Sequence, residues 1–332
     1  MAGDAFLPGR SSFPAVSTFK HCLSLLVLLA APILPAQTTL LTDTFSTASS
    51  PGDLATNGPQ GTQSLPSSAQ WFLVNSANGS ATYTNPALAP PGSLAQTFSV
   101  DQSVVAYFES PGNEQVLNVG DSIALNVNFN ISGSTNLADG IRFALLNSGS
   151  SGVTNFQLTG NSSGNTSTTP NFNNYSGIAA FINPSVSSGT GANLDSRASG
   201  GTSDLISSGS TDYTSFGSSS GTATLSGGAY KATLSLAYTA VGSMNVGLVI
   251  LDSSNNPVTT YSAAATTSSF PTKFDTVAIG GLTGVASSLT LNGVSVIFVP
   301  VPEPPVYLLC GGGLAILAGA AWWRRRRAAR AA

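Results

Sequence analysis

The stretch Ser122–Ile131, SIALNVNFNI, alternates apolar and polar residues with a period of two. Successive side chains of an extended strand point to opposite faces, so Ile, Leu, Val and Phe share one face and Ser, Ala and Asn the other. One face of such a strand packs on a second sheet while the other meets water, as in antiparallel sheets. The stretch therefore predicts a half-exposed strand of a β-sandwich.

Other segments extend this prediction over most of the chain. Tyr230–Thr239, YKATLSLAYT, alternates in the same way. More deeply buried strands are predicted where both faces are apolar, at 71–74, 104–108, 141–146, 177–182, 244–251, 274–280 and 289–299. Turn residues separate them, as in DSSNNP at 252–257. With no amphipathic helix evident between these segments, the pattern favours an all-β fold, a two-sheet antiparallel sandwich of jelly-roll type.

Two segments, 149–173 and 183–228, are rich in Ser, Gly, Asn and Thr and contain no predicted strand. Both are expected to be long loops. Loops of this length are uncommon in compact domains and are usually functional or disordered. They are interpreted either as solvated spacers or as the rim of a ligand site.

Cysteine and histidine are confined to the N- and C-terminal segments. Cys22 and Cys310 lie in apolar stretches, and His21 is the one histidine of the 332-residue chain. The central region therefore cannot hold a Ser-His-Asp triad, a Cys-His dyad or a zinc site built from His or Cys. Chemistry that depends on thiols or imidazoles is excluded there.

Carboxylate catalysis is also not expected. A retaining glycosidase needs two carboxylates about 5 Å apart, and no two acids of this chain stand two positions apart on a strand. Glu109 and Glu114 flank Pro111-Gly112, which predicts that they lie at the mouths of a hairpin turn. We expect no enzymatic activity, and a carboxylate-based glycoside hydrolase is the least favoured alternative.

Charge is sparse and unevenly placed. Between Thr38 and Val301 there are twelve acids and four bases, a net charge of about −8. This balance disfavours nucleic acid as a partner. Arg142 is the one base in an apolar strand, and a structural ion pair with Asp139 or Asp275 is predicted for it.

No cofactor is predicted with any specificity, although calcium is possible. Calcium takes six to eight oxygen ligands, and the loops supply oxygens of this kind. These oxygens belong to Asp139, Asp195, Asp204, Asp212, Asp252, Asn255 and Asn256. Their spacing does not match a known calcium loop, and acids in turns usually cap the backbone or face solvent.

Aromatic residues near polar loops are candidates for stacking on sugar rings. The candidates are Tyr83, Tyr175, Tyr213, Phe216 and Tyr261. The competing interpretation is that Tyr and Phe in β-proteins mostly fill cores and edges.

The N-terminus has the features of a secretory signal peptide. A weakly basic leader precedes the apolar run Cys22–Ala31, which has the length of a signal-peptide core and is too short to span a bilayer comfortably. Residues 1–36 are predicted to be a helical signal peptide cleaved after Ala36. Residues 37–300 are then the exported domain.

The C-terminus has the features of a membrane-spanning helix. Residues 306–323 form an apolar run of 18 residues, close to the ~20 needed to cross a bilayer. Trp322 and Trp323 stand where an aromatic belt belongs, and the basic cluster Arg324, Arg325, Arg326 and Arg327 holds the C-terminus in the cytoplasm. The pattern predicts export followed by anchoring in the inner membrane.

The last thirty residues also resemble a sorting signal. Pro302, Glu303 and Pro304, then the glycine-bearing apolar run, then the arginines, stand in the order of the PEP-CTERM signal of Gram-negative bacteria, over 301–330. Pro305 departs from the pattern, which more often has Ser, Thr or Ala there. The resemblance implies recognition and processing by an integral-membrane exosortase, and association with extracellular polysaccharide and biofilm.

The central domain resembles concanavalin A-like and LamG-like jelly rolls. The resemblance is carried by DGIRFALLNSG, YKATLSLAY, NVGLVILDSSNN, FDTVAIGG and LTLNGVSV, in that order. Such domains often bind carbohydrate, and some bind calcium. The expected protein is therefore a cell-surface or extracellular-matrix protein with a structural or adhesive role in exopolysaccharide. The alternative is a lectin-like module with a specific glycan ligand.

Overall fold

The computed structural model describes residues 36–45, 60–61, 66, 70–75, 80–84, 92–98, 102–110, 112–132, 140–149, 174–182, 191–200, 205, 212–219, 225, 227–266, 270–281, 287–301, 319, 321–324 and 326–329. Ala36–Val301 form one compact unit, and the helical residues near the C-terminus belong to a separate one.

The first unit is built from β-strands. Its described strands are β1 (Thr38–Asp43), β2 (Gln60–Gly61), β3 (Gln70–Asn75), β4 (Ser80–Thr84), β5 (Ser93–Phe98), β6 (Gln102–Tyr107), β7 (Gln115–Val116), β8 (Ser122–Ser132), β9 (Ile141–Asn147), β10 (Ser176–Ile182), β11 (Ala192–Arg197), β12 (Tyr213–Ser219), β13 (Gly228–Ala240), β14 (Ser243–Asp252), β15 (Pro257–Thr266), β16 (Lys273–Phe274), β17 (Thr276–Gly281) and β18 (Ser287–Val299).

Most of these strands form two antiparallel sheets of eight strands each. Sheet A has the order β15-β14-β13-β8-β18-β5-β4, and sheet B the order β12-β11-β10-β9-β17-β6-β3-β2. In sheet A, β8 pairs along one side of β18, while β1 and β5 share its other side. The short strands β7 and β16 pair with each other. The prediction of antiparallel β-sheets is confirmed.

The core lies between the two sheets, and the period-two pattern of β8 explains how it forms. Ile123, Leu125, Val127, Phe129 and Ile131 are all buried, while the residues between them are half-buried or exposed. Phe129 packs on Phe143 of sheet B, with ring centroids 5.6 Å apart. Burying these alternating apolar side chains, worth about 1.5–3 kcal/mol each, is the main force that holds the sheets together.

The prediction of a loop over 183–228 is wrong. The segment contains β11 and β12, which pair with each other and extend sheet B beyond β10. Leu194 packs in the core between the sheets. The other predicted loop, 149–173, lies outside the described residues except for Gly149.

The prediction of a hairpin at Pro111-Gly112 is also wrong. Gly112 is in the left-handed region, with φ 91°, and its N–H donates to Glu114 Oε1 at 3.2 Å. The flanking strands do not pair with each other, because β6 pairs with β3 and β17 and β7 pairs with β16. The segment is a corner at which the chain leaves sheet B. By contrast, the turn predicted at 252–257 does connect the paired strands β14 and β15.

Asp43 ties the two sheets together. It is buried at the end of β1, and its carboxylate accepts hydrogen bonds from Trp71 Nε1 at 2.7 Å and from the Phe45 N–H at 2.8 Å. Trp71 is fully buried on β3 of sheet B. A carboxylate can satisfy both donors at once, so one side chain fixes the end of β1 against the facing sheet.

Asp275 has a similar role within sheet B. It immediately precedes β17, is fully buried, and accepts hydrogen bonds from the Ser148 N–H at 2.8 Å and from Thr276 Oγ1 at 2.6 Å. The Ser148 hydroxyl also donates to it. Its backbone N–H donates to Leu146 O at 3.0 Å, and its carbonyl accepts from the Phe108 N–H at 2.8 Å. Asp275 therefore joins the ends of β6, β9 and β17.

Two glycines allow close approaches that no other residue would permit. Gly217 on β12 lies against β15, where an added Cβ would come within 2.5 Å of Ala263 Cβ and of the Tyr261 hydroxyl. Gly177 on β10 lies against β9, where an added Cβ would come within 2.8 Å of Leu146 Cα and closer still to Leu145 O. The first contact brings one edge of each sheet together, and the second lies within sheet B.

The separate C-terminal unit is helical at residues 321–324 and 326–329. The Arg326 guanidinium lies 4.2 Å from the Trp322 ring centroid, and that of Arg327 lies 3.7 Å from the Trp323 centroid. Within the part of the chain that the structure describes, no helix has both the length and the apolar character to span a bilayer. Most of the predicted span 306–323 lies outside the described residues.

Candidate functional site

The outer side of sheet A carries a broad set of small polar side chains, here called the hydroxyl–amide face. Each lies on the side of its strand opposite the buried residues and is half-buried or exposed. Its uncharged polar members include Thr42, Ser122, Asn126, Asn128, Asn130, Thr233, Ser235, Asn245, Thr260, Ser262 and Ser295. The face is the water-facing half of the alternation that builds the core.

One row of this face crosses the sheet from β1 to β15. Strand register places Thr42, Ser295, Asn126, Thr233, Val249 and Thr260 side by side. Thr233 Oγ1 donates to Asn126 Oδ1 at 2.9 Å, and Asn126 Nδ2 donates to Ser295 Oγ at 3.4 Å. With strands about 4.8 Å apart, the six strands extend the row over about 24 Å.

Glycines leave parts of the backbone uncovered on this face. Gly247 lies next to Ser235, whose hydroxyl donates to the Gly247 carbonyl at 3.3 Å. Gly293 lies next to Asn128, and an added Cβ there would be 3.3 Å from Asn128 Nδ2. Larger residues would displace these neighbours, so the glycines leave the backbone of β14 and β18 accessible from this face.

The face is almost without charge. Lys231 is the one charged side chain among its described members on β8, β13, β14, β15 and β18, and its ammonium donates to Asn255 Oδ1 at 2.8 Å. Hydroxyl and amide groups both donate and accept hydrogen bonds. The arrangement can therefore bind a neutral, hydroxyl-rich partner through many weak polar contacts, whereas the single ammonium of Lys231 gives a polyanion little attraction.

The outer side of sheet B is different, because a second apolar layer covers it. Val105, Ala144, Leu146, Tyr175, Ala179, Phe181, Leu205 and Ala278 pack together there. Tyr175, directly before β10, and Leu205, after β11, lie outside the strands and pack against this layer. The Tyr213 hydroxyl donates to Leu205 O. Described residues outside the strands therefore cover part of this side of sheet B.

An ionic and aromatic cluster lies within this covered layer. Arg197 Nη1 is 3.4 Å from Asp212 Oδ2, and its guanidinium lies 5.4 Å from the Tyr213 ring centroid. The Arg142 guanidinium lies 4.8 Å from the Phe181 centroid, and the Phe181 and Tyr213 rings meet edge to face at 5.1 Å. Both arginines are only 1% exposed. The cluster therefore holds β9 to β12 together from their outer side.

Of the two predicted partners of Arg142, Asp275 is wrong. It lies beside Leu146 and Ser148 at the far end of β9, where its carboxylate is already bonded. Arg142 does interact electrostatically with the Asp195 carboxylate on β11. Asp139, the other predicted partner, lies outside the described residues.

The environment of Asp195 favours its neutral form. Burial raises its pKa, while a hydrogen bond from Ser215 and the charge of Arg142 act in the opposite direction. Its Oδ1 atom has no hydrogen-bond partner among the described residues. Burial likewise raises the pKa of Tyr213 to about 12.

The predicted calcium ligands fall into separate groups. Asp252, Asn255 and Asn256 lie in one turn, where Asp252 Oδ1 accepts the Ser254 and Asn256 N–H groups, each at 2.8 Å, so these oxygens stabilise the turn. Asp195 and Asp212 belong to the covered cluster, next to arginines. Asp139 and Asp204 lie outside the described residues. Among the described residues no group of three or more acidic, His or Cys side chains is placed to hold a metal ion.

The aromatic residues considered for sugar stacking are used in packing. Tyr175 is fully buried and shares a hydrogen bond with Tyr107. Phe216 packs edge to face on Phe270, with centroids 5.6 Å apart, and Tyr261 packs against the core. The side chain of Tyr83 lies outside the described residues. The stacking hypothesis is therefore wrong for Tyr175. Phe216 and Tyr261 are partly buried against the core, and Tyr213 packs in the ionic and aromatic cluster, as the competing interpretation predicts.

The two glutamates lie at the β6–β7 corner, where Glu114 accepts the Gly112 N–H. Burial raises the pKa of Glu109, and the nearby Asp275 carboxylate raises it further. The Asp275 pKa is also raised, chiefly by burial. Because both Asp275 oxygens accept hydrogen bonds within the fold, this carboxylate is structural.

These raised pKa values predict that the protein is more stable at mildly acidic pH than at neutral pH. A native carboxyl with a raised pKa binds its proton at a pH where the unfolded chain, near 3.8 for Asp, has lost it. The stability that these groups contribute is then fully present below the unfolded pKa, declines as the pH rises from there towards the native pKa, and is lost above it. Urea titrations at about pH 4 and pH 7 should give the larger free energy of unfolding at pH 4.

Asp195→Asn is the matched test of that pH dependence, because amide and carboxyl have similar shapes and the amide does not titrate. The variant should show a smaller difference between the two pH values than the unaltered protein. If the difference in free energy of unfolding between the two pH values is the same in both proteins, the pH dependence arises from other groups.

The predicted processing and sorting residues are hardly covered by the structure. Ala36, the predicted signal-cleavage residue, is exposed at the start of the β-sandwich unit. Pro302, Glu303, Pro304 and Arg325 lie outside the described residues. Arg324, Arg326 and Arg327 are helical and exposed.

Comparison with known proteins yields similarities of structure only. No protein-family model matches the sequence, and no curated protein matches it. Similar solved structures include the exoplasmic/lumenal domain of VIP36 in its Ca2+/Man3GlcNAc-bound form, which is 12% identical over 71% of this chain and 86% of its own, with a TM-score of 0.42.

Two further structures show a comparable degree of similarity. A protein of unknown function from Shewanella oneidensis MR-1 is 13% identical over 90% of this chain and 99% of its own, with a TM-score of 0.41. Arcelin-5, a lectin-like defense protein from Phaseolus vulgaris, is 14% identical over 69% and 98%, with a TM-score of 0.37. At this level of similarity, the ligands of those proteins say nothing about the ligand of this chain.

Proposed function

We propose that this chain is an exported adhesive protein whose β-sandwich binds extracellular polysaccharide across the hydroxyl–amide face. The observation that supports the proposal is the cross-strand row through Ser295, Asn126 and Thr233, in which hydrogen-bonding side chains line up on adjacent strands. A polysaccharide carries hydroxyl groups along its whole length, so it can meet such a row at many points. Binding through a face suits adhesion to a matrix, and it requires no catalytic group.

The chemistry of the face favours carbohydrate over a protein partner. The buried centres of protein interfaces are rich in aromatic residues and Met, whereas the described members of this face, apart from Lys231, are hydroxyl, amide and aliphatic side chains. With one charge on the face, a neutral polysaccharide is favoured over an anionic one.

The terminal segments support the export part of the proposal. Residues 1–36 would direct the chain through the inner membrane, and helix 306–323 with the arginines after it would anchor it there. Pro302-Glu303-Pro304 would then be recognised by an exosortase, which processes the chain for the cell surface or the matrix. The order of the strand segments, like that of concanavalin A-like jelly rolls, accords with an extracellular role.

Thr233→Glu should weaken polysaccharide binding at least ten-fold. The substitution places a carboxylate at the centre of the face, where the bond to Asn126 is lost and a bound neutral chain would have to desolvate the charge. Retention of the full-length protein on immobilised neutral polysaccharides, such as a β-glucan, a galactan and a mannan, is the measurement.

Thr214→Glu is the matched control, because Thr214 is exposed on β12 of sheet B. Its binding should equal that of the unaltered protein. Equal retention of both variants would contradict the proposal. A second candidate function is a lectin that binds a discrete glycan near Asp195. The Asp195 Oδ1 atom, which has no hydrogen-bond partner among the described residues, favours this candidate. It is the correct one if Asp195→Asn abolishes binding while Thr233→Glu does not.

A further inference from the structure

The sandwich ends in a hydrogen bond that lies directly before the Pro-Glu-Pro triplet. β18 ends at Val299, and two residues later the Val301 N–H donates to Asp121 Oδ1 at 2.7 Å. Asp121 is 2% exposed, and its other oxygen accepts the Asn118 N–H at 2.8 Å. The last residue of the unit is therefore bonded to a buried carboxylate although it lies beyond the strand.

The turn that carries Asp121 is itself firmly attached to sheet A. The Gly120 N–H donates to Tyr238 O at 2.6 Å, and the Tyr238 N–H donates to Asp121 O at 3.0 Å. Tyr238 lies on β13, so both bonds fasten the turn to a central strand. The carboxylate that holds Val301 is thus fixed by the sheet and does not move with the chain end.

Gly120 completes the contact. Its φ of 99° is one that L-residues rarely adopt, and a Cβ added there would come within 3.0 Å of Val301 Cβ and Cγ2. The Val301 side chain therefore lies directly on a bare stretch of backbone. Asp121 therefore binds the backbone of Val301, and Gly120 contacts its side chain, which is 45% exposed.

We infer that Asp121 and Gly120 form a latch that sets the limit of proteolytic processing, so that the chain is cut only beyond Val301. The inference rests on the proposed processing at the C-terminal signal. A protease binds its substrate as an extended backbone, and a residue whose N–H is bonded within the fold is not available in that form. The mature protein then keeps the whole of β18.

The cut is the hydrolysis of one peptide bond. Water supplies hydroxide to the carbonyl carbon and a proton to the leaving nitrogen, which yields a new C-terminal carboxyl at or beyond residue 301. The latch takes no part in this chemistry and acts by controlling which bonds a protease can reach.

The test is limited proteolysis of the full-length chain with a protease of broad specificity, followed by mass measurement of the C-terminal end. The unaltered protein should give a product that ends at or beyond Val301. Asp121→Ala should be cut ten-fold or more faster within residues 295–299 at the end of β18, because loss of the hydrogen bond raises local opening there. The bonds from Val299 to Pro302 all involve a proline and resist most proteases, so they are not the measured sites. Identical products and rates from the two proteins would overturn the inference.

Val301→Pro covers the case in which Asp121→Ala fails to fold. It removes the N–H donor at the chain end while the turn and its carboxylate stay intact, and the same faster cutting is expected.

In a host that carries an exosortase, Glu303→Ala should leave the chain at full length. If the unaltered chain is not processed there, the sorting proposal fails, while the proteolysis result still decides whether the latch exists.

Discussion

Replacing Asp275 by alanine is expected to lower the free energy of unfolding by about 4 kcal/mol. The carboxylate accepts three hydrogen bonds, from the Ser148 N–H, the Ser148 hydroxyl and the Thr276 hydroxyl. Alanine leaves these donors without an acceptor in a fully buried environment. Urea denaturation followed by tryptophan fluorescence is a suitable measurement, because Trp71 is buried in the same unit.

Asp252→Ala is the control for this prediction. Asp252 also accepts backbone N–H groups, at 2.8 Å, but it lies in the exposed β14–β15 turn, where water can replace the lost acceptor. It should lower stability far less. Asp275→Asn, which keeps the shape and one acceptor oxygen, should fall between the two. Equal unfolding midpoints for the two alanine variants would show that burial of Asp275 does not matter.

Gly177→Ala is expected to destabilise the protein by about 2–3 kcal/mol. The added methyl group would lie within 2.8 Å of Leu146 Cα, an atom that cannot withdraw without breaking the β9–β10 ladder. β9 and β10 are central in sheet B, so a displacement of either strand disturbs both the core between the sheets and the apolar layer on the outer side of sheet B. Thermal unfolding and urea titration should both report the loss.

Gly227→Ala is the matched control, because its added Cβ would lie 3.7 Å from Ile131 O, an ordinary contact. It should be neutral or stabilise by about 0.5–1 kcal/mol, since alanine restricts the unfolded chain more than glycine does. The two variants are therefore expected to differ in sign. A Gly177→Ala protein as stable as the Gly227→Ala protein would mean that β9 and β10 separate more easily than their register implies.

The strands that could be predicted are those in which the residue types reflect which side chains are buried. β8 and β13 alternate because one face is buried and the other wet, and β9, β10 and β17 are continuously apolar because sheet B is covered on both sides. The resemblance to jelly rolls led to the same antiparallel arrangement. Because apolar residues occupy the buried positions of these strands, the strands can be predicted from the sequence.

The missed strands carry a weaker signal. β11, ANLDSR, and β12, YTSFGSS, contain charged or small residues because they lie at the edge of sheet B, where the ionic cluster replaces an apolar layer. β15, PVTTYSAAAT, is an edge strand of small residues. Period-two counting cannot separate such strands from loops, since their stability comes from pairing with a neighbour.

The candidate site was predictable only in its parts. The polar half of β8 was expected to face water, and Asn126 and Asn128 do lie on the outer side of sheet A. That Thr42, Ser295 and Thr233 join Asn126 in one row depends on register between strands far apart in the chain. Strand register also explains why Asp195 was not predicted to lie near Arg142. Asp195 is on β11, and that strand was not predicted.

The position of β18 has a consequence for the timing of folding. The last of the described strands lies between β8 on one side and β1 and β5 on the other, so the strands of sheet A stay in three separate pieces until residues 287–299 arrive. Pairing across such long sequence separations is slow. If the chain is exported as proposed, this topology would delay completion of the sandwich until nearly all of residues 36–301 had been translocated, so the polypeptide would stay unfolded for passage and fold on the far side.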